Sequence, residues 1–383
     1  MRKVYFDHSA TTAIDHRVIE EMMPYFSDKF GNASSIHTFG REAKIALETA
    51  REHIARTLHA NAAEIIFASG GTESDNLALK GTAYREKKRR HIITSNAEHH
   101  AVLRTCEFLQ TQGFRITYLP VDKTGTVQPE VVAQHIDEDT FLISIMHANN
   151  EVGSINPIAG IGKIAREKGI LFHTDAVQSF GKLPINVREM SIDMLSISAH
   201  KIHGPKGIGA LYVRKGIVLE KLNHGGHHER DRRAGTENIP AIVGFGKAAV
   251  ICQQEMGQES QRLATLRNAF YRQITENIPR VHLNGSFENR LPGNLNVAFE
   301  GIEGEALLLS LDLKGIAASS GSACTSGGVE PSHVLRAMGI PAELAQSSIR
   351  FSLGRGNSQE DVDYALSVLP EIVQRLRSIS PFN

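Results

Sequence analysis

Between Glu64 and Val213 short apolar runs alternate with segments of helical spacing, and that alternation admits few architectures. The runs are Glu64 to Ala68, His91 to Thr94, Arg115 to Leu119, Phe141 to His147, Ile170 to His173, Ile192 to Ile197 and Ile208 to Val213. Several are apolar on both faces, as strands covered by helices on each side must be. The pattern predicts an α/β domain with a largely parallel sheet. Ahead of it Ala43, Ala46, Leu47, Ala50, Ile54 and Leu58 recur at helical spacing and predict a long amphipathic helix.

After about Gly235 the texture changes. A long helical stretch through the 240s to 270s precedes strands near Val281 to Asn284 and Asn294 to Phe299, a helix from Gly304, a small-residue loop and a strand at Ser348 to Leu353. A chain of 383 residues exceeds one ordinary core. The expected division is a large domain over 13–255 and a smaller α+β domain made of 1–12 and 256–383.

Lysine plus arginine equal aspartate plus glutamate at 42 each, which gives no global field to attract nucleic acid or membrane. No apolar run approaches the roughly 20 residues of a membrane helix, and the N-terminus has no signal-peptide core. The three cysteines, Cys106, Cys252 and Cys324, are far apart and odd in number, which argues against a disulfide framework. A cytoplasmic protein is expected.

Five segments carry chemistry. Lys201 follows a strand and precedes the glycines of Gly204-Pro205-Lys206-Gly207, and a crowded lysine there can lose its proton and form a Schiff base with an aldehyde cofactor. Asp175, at another strand end, would keep a pyridine nitrogen protonated, and Gln178 would bond the ring's phenolic oxygen; alone, the same motif is a helix cap. Gly71 and Thr72, after a strand and opening a helix, suit one phosphate or simply an N-capped turn. His99 lies past a third strand, where an imidazole can stack on a flat cofactor and move protons. Arg350 sits mid-strand and reads equally as a clamp for a substrate carboxylate or as half of an internal salt bridge. Cys324 stands apart, in the small-residue run Ser319 to Gly328, expected to be an exposed, mobile loop bearing a reactive thiol.

Taken in order, these motifs resemble the cysteine desulfurases of the NifS/IscS type, class V aminotransferase-like proteins among the fold-type-I pyridoxal-phosphate enzymes. The resemblance rests on Asp7-His8-Ser9-Ala10-Thr11-Thr12, Gly71-Thr72-Glu73-Ser74-Asp75-Asn76, His147-Ala148-Asn149-Asn150-Glu151-Val152-Gly153, the Lys201 segment, Arg233-Ala234-Gly235-Thr236-Glu237-Asn238 and Ser320-Gly321-Ser322-Ala323-Cys324-Thr325. It implies the fold-type-I transferase architecture, whose large domain has a mostly parallel seven-stranded sheet between helices, and pyridoxal 5′-phosphate bound covalently to Lys201. It further implies that Asp175 and Gln178 hold the ring, that His99 stacks on it, and that Thr72, Ser198 and His200 bind the phosphate. Thr236 matches a position that reaches the neighbouring subunit's phosphate, which implies a homodimer. Asn149 and Arg350 match the substrate-carboxylate binders.

The activity implied is conversion of L-cysteine to L-alanine, with sulfur passed to Cys324 as a persulfide and then to an acceptor, an iron–sulfur scaffold or a tRNA-thiolation protein. The nearest alternatives are a selenocysteine lyase or another class V aminotransferase. A metal-dependent hydrolase built on His99, His100, His200, His203, His224, His227 and His228 is disfavoured, because no helix presents two histidines at i and i+4. No metal is expected.

Overall fold

The computed structural model describes residues 2–320 and 331–380. Strand β1 (Val4–Tyr5) is followed by helices α1 (His16–Met22), α2 (Pro24–Ser27) and α3 (Thr38–Thr57). Then come β2 (Ile65–Ala68), α4 (Gly71–Arg85), β3 (His91–Ser95), α5 (His100–Thr111), β4 (Arg115–Leu119), α6 (Pro129–Gln134), β5 (Thr140–Ser144), α7 (Ile158–Glu167), β6 (Leu171–Asp175), β7 (Met194–Ser198) and β8 (Gly209–Val213). The rest runs α8 (Ile239–Asn277), β9 (Val281–Leu283), β10 (Asn294–Phe299), α9 (Gly304–Asp312), β11 (Ile316–Ala317), α10 (His333–Ala337), α11 (Ala342–Gln346), β12 (Ser348–Ser352) and α12 (Gln359–Ile379).

Seven strands hydrogen-bond in the order β2-β8-β7-β6-β5-β3-β4. The run from β4 to β7 is parallel, and β8 lies antiparallel to both its neighbours. This is the expected mixed α/β fold. Successive residues point to opposite faces and both faces are dry. Ile93, Ile143 and Leu195 meet α3, α7 and the first half of α8 through Ile54, Ile161 and Phe245. Their neighbours Ile92, Leu142 and Met194 meet α4 and α5 through Leu79, Val102 and Leu109. The strand expected from Ile192 begins at Met194. Asp193 just ahead of it bonds Phe172 and Arg214 through its backbone, and its carboxylate also accepts from the Phe172 N–H at 2.9 Å and pairs with Arg214 at 2.6 Å.

A second core lies beyond. Antiparallel β9, β10 and β12 form a small sheet, and β1 pairs with β11. The chain start continues into this sheet through a bridge from Asp7 to Ser352. Phe6, Phe270 and Phe351 pack ring against ring at 5.2 to 6.3 Å between centroids. Helix α8 serves both cores over its 39 residues, about 58 Å of rise. Its turns up to Cys252 join the first core and those from Leu263 join the second. The division expected at 255–256 falls between them.

Candidate active site

At the end of β7 the chain makes one tight turn, Ala199–Lys201, and folds back. Gly204 closes it: a Cβ there would lie 2.9 Å from the Cβ and the carbonyl oxygen of Ala199. The turn carries Lys201 over the strand ends, where its Nζ donates to the carbonyls of Ser9 and Ala10 at 2.6 Å each. Burial above all, with the charges of Lys182 and Arg350, lowers the Lys201 pKa to about 7 against the opposing pull of Asp7 and Asp175. A neutral amine is therefore available near neutral pH.

Asp175 is the last residue of β6 and is buried, with Oδ1 accepting from the Val177 N–H at 2.9 Å. Burial raises its pKa, while His99 and Lys201 favour its charged form. His99 caps α5: its Nδ1 accepts from the Ala101 N–H at 3.1 Å, which leaves the ring proton on Nε2. The ring is open to the cavity although it sits deep in the fold, and burial lowers its pKa.

The third wall is the start of α4, whose first-turn N–H groups have no acceptor within the helix. Its approach is set by close backbone contact. A Cβ on Gly209 of β8 would lie 2.7 Å from Gly70, and one on Gly71 would lie 2.7 Å from a Val177 methyl. Both glycines are required for α4 to open onto the ends of β6 and β7.

These elements enclose a cavity of about 380 Å³ lined by Gly71, Thr72, His99, Asp175, Gln178, Ser198, His200, Lys201 and Arg350. Gln178 donates its amide N–H to the Ser9 carbonyl at 2.9 Å, and His200 Nδ1 lies 3.1 Å from the Thr11 hydroxyl. Arg350 satisfies both readings of its sequence at once. It pairs with Asp7 at 2.8 Å and donates to the Asn150 carbonyl at 2.9 Å, yet it faces the cavity, and its buried Nε has no partner among the described residues. Two residues expected at the site lie off this cavity. Asn149 donates to the Ala97 carbonyl at 2.9 Å and accepts from the N–H groups of Glu151 and Val152, so its amide braces the loop that carries Asn150. Thr236 lines a separate cleft beside Ser69, Gly207 and Arg233. Cys324 lies outside the described residues.

Residues 4–365 match the family model described as aminotransferase class-V. The chain is 54% identical over 382 residues to "Cysteine desulfurase IscS" of Dictyoglomus turgidum, covering 100% of this chain and 97% of that protein. A protein of the same name from Methanosarcina thermophila is 54% identical over 381 residues, covering 99% and 94%. The chain belongs to the class-V aminotransferase family, among its cysteine desulfurases. Solved structures agree. A NifS-like protein superposes with a TM-score of 0.92 at 42% identity over 98% of this chain and 100% of that one. "SspA in complex with cysteine" gives 0.83 at 42% identity over 92% and 99%.

Cysteine desulfurases of this family depend on pyridoxal 5′-phosphate, and the donor set suits it. A buried carboxylate at Asp175, a fixed open imidazole at His99, free amides at the α4 start and an amine at Lys201 surround one ring-sized space. Several contributors were not legible in the sequence. Lys182 is a half-buried amine whose pKa falls to about 8, and Glu98 is a buried acid raised to about 8, both chiefly through desolvation. Asp75 lies beside Asp175 and His99. Asp7 and Asp75 each sit in a motif quoted for the resemblance, and that was the signal available.

Proposed function

We propose that the chain converts L-cysteine to L-alanine and passes the sulfur to Cys324 as a persulfide, for iron–sulfur cluster assembly or other sulfur transfer. The observation that carries this reading is the Lys201 amine, lowered to about 7, sharing a cavity with the buried Asp175 carboxylate and the open face of His99. When bound, pyridoxal 5′-phosphate supplies an electron-withdrawing ring for charge that develops at the substrate's Cα. Asp175 would hold the ring nitrogen, His99 its face, and Thr72, Ser198 and His200 with the α4 amides its phosphate. Arg350 takes the substrate carboxylate, with Asn149 bracing the adjoining loop.

Lys201 removes the Cα proton as a neutral base and returns a proton to carbon. The Cys324 thiolate attacks the substrate sulfur. An S–S bond forms, the C–S bond breaks with its electron pair going to carbon, and protonation there leaves alanine. The sum is cysteine plus thiol giving alanine plus persulfide, with no external oxidant. His99 Nε2 moves the proton between the substrate thiol and Cys324.

The working unit in this reading is a homodimer. Phe26, Phe30, Ile36 and Ile45, all within α2, α3 and the segment joining them, are 62%, 67%, 91% and 67% exposed, apolar area that a second copy could cover. Thr236, in its separate cleft, would serve a neighbour's phosphate in that dimer. We place the protein in the cytoplasm, in keeping with buried free thiols at Cys106 and Cys252 and with no helix among the described residues long and apolar enough to cross a membrane.

The test is the visible spectrum of purified protein before and after L-cysteine, with alanine and sulfide measured together. Cys324→Ala keeps the cofactor absorbance and releases no alanine; undiminished alanine output overturns the role of Cys324. Sedimentation equilibrium gives twice the chain mass, and a monomer at micromolar concentration removes the composite site.

A further inference from the structure

Asp75 has no part in the chemistry above, yet it is a buried carboxylate beside it. It sits one turn into α4, is 1% exposed, and its Oδ1 has no hydrogen-bond partner among the described residues. One oxygen each of Asp75 and Asp175 and a ring nitrogen of His99 all lie within 4.8 Å of one another.

The groups facing Asp75 bring no compensating charge. From β6 come Asp175 and His173, whose Nε2 is 3.6 Å from Asp75 Oδ1. His173 is bonded by the hydroxyls of Ser144 at 2.8 Å and Ser196 at 3.0 Å, and burial drops its pKa to about 3, so its ring is neutral. The connection from β3 to α5 adds Glu98 and His99, and β7 adds only the Ser196 hydroxyl. No lysine or arginine is among the groups that set its charge. Burial, reinforced by the Asp175 charge, drives the Asp75 pKa well upward.

Two carboxylates this close in a dry site do not both ionise. Asp175 has the Val177 N–H, His99 and Lys201 to favour its charge, and Asp75 has none of these. We infer that Asp75 is a positioning residue, a neutral carboxylic acid that donates its O–H to Asp175 and keeps that group singly charged and aimed into the cavity. The inference rests on the reading of Asp175 as the ring-nitrogen partner and adds a second residue to it. No net charge is created, because the proton stays on Asp75.

The test is infrared difference spectroscopy of the cofactor-loaded enzyme at neutral pH, wild type minus Asp75→Asn. One protonated-carboxyl carbonyl band is expected in the wild type, moving in heavy water and with ¹³C-labelled aspartate, and missing in the variant. Loss of carboxylate bands alone overturns the inference. If Asp75→Asn does not fold, the labelled wild-type chain still reveals the band or its absence. A second readout uses cofactor release. The Asn variant keeps an N–H donor to Asp175 and retains wild-type release rates within about two-fold, whereas Asp75→Ala releases cofactor about tenfold faster. Equal rates for the two variants overturn it, as does a stoichiometric metal lost from the Asn variant. If Asp175→Asn leaves the cofactor spectrum untouched, the Asp175 reading is what fails; the band recorded in cofactor-free protein tests the Asp75 proton alone.

Discussion

His99, Asp175, Ser198 and Lys201 hang from the carboxyl ends of three parallel strands of one sheet, β3, β6 and β7, whereas the facing wall, from β12 and the first ten residues, supplies one guanidinium, Arg350, tied to Asp7. The first wall is where an open α/β sheet collects ligands, because the parallel strands end there and their connections turn there. The second is a salt-bridged prop from a different core. The difference separates two tasks: the large sheet holds groups that exchange protons, and the small one holds a fixed charge.

The contrast breaks most visibly at Lys201. Replacing it with alanine removes the amine that takes the Cα proton, so alanine release falls by about 10³-fold or more, measured by single-turnover assay. Arg350→Lys tests the other wall. A lysine cannot hold Asp7, the Asn150 carbonyl and a carboxylate together, so kcat/KM drops about 10²-fold, carried mainly by KM. An equal fall in kcat with unchanged KM would move Arg350 into the proton-handling set.

The smallest effect concerns stability. Burial lowers His147 to about 4 and His173 to about 3, below the 6.5 of a free imidazole. Between these values the unfolded chain binds the protons first, so stability is lost as pH falls from about 6.5 to about 4, by about 1.4 kcal/mol per unit for each residue. Chemical denaturation of His173→Gln against wild type at two acidic pH values shows a shallower loss in the variant. Identical slopes would mean that His173 is charged in the folded chain.

How much could be read beforehand follows the same divide. The sheet and the glycine turns beside Lys201 and Gly71 were legible, because local spacing dictates strands and because only glycine fits those contacts. The Asp75–Asp175 juxtaposition was not, since 100 residues separate the two and a carboxylate one turn into a helix looks like a solvated residue. Asn149 reads as a ligand in its motif but spends its amide on the loop.

The continuous helix α8 ties the halves together mechanically. Ile242 and Phe270 are turns of one rod, each embedded in a different hydrophobic interior. Cutting the chain there would strip half a girder from each fragment and leave a bare greasy stripe on both. Dissection into separately produced pieces should therefore yield insoluble material, and heating the intact chain should show one melting step shared by both halves.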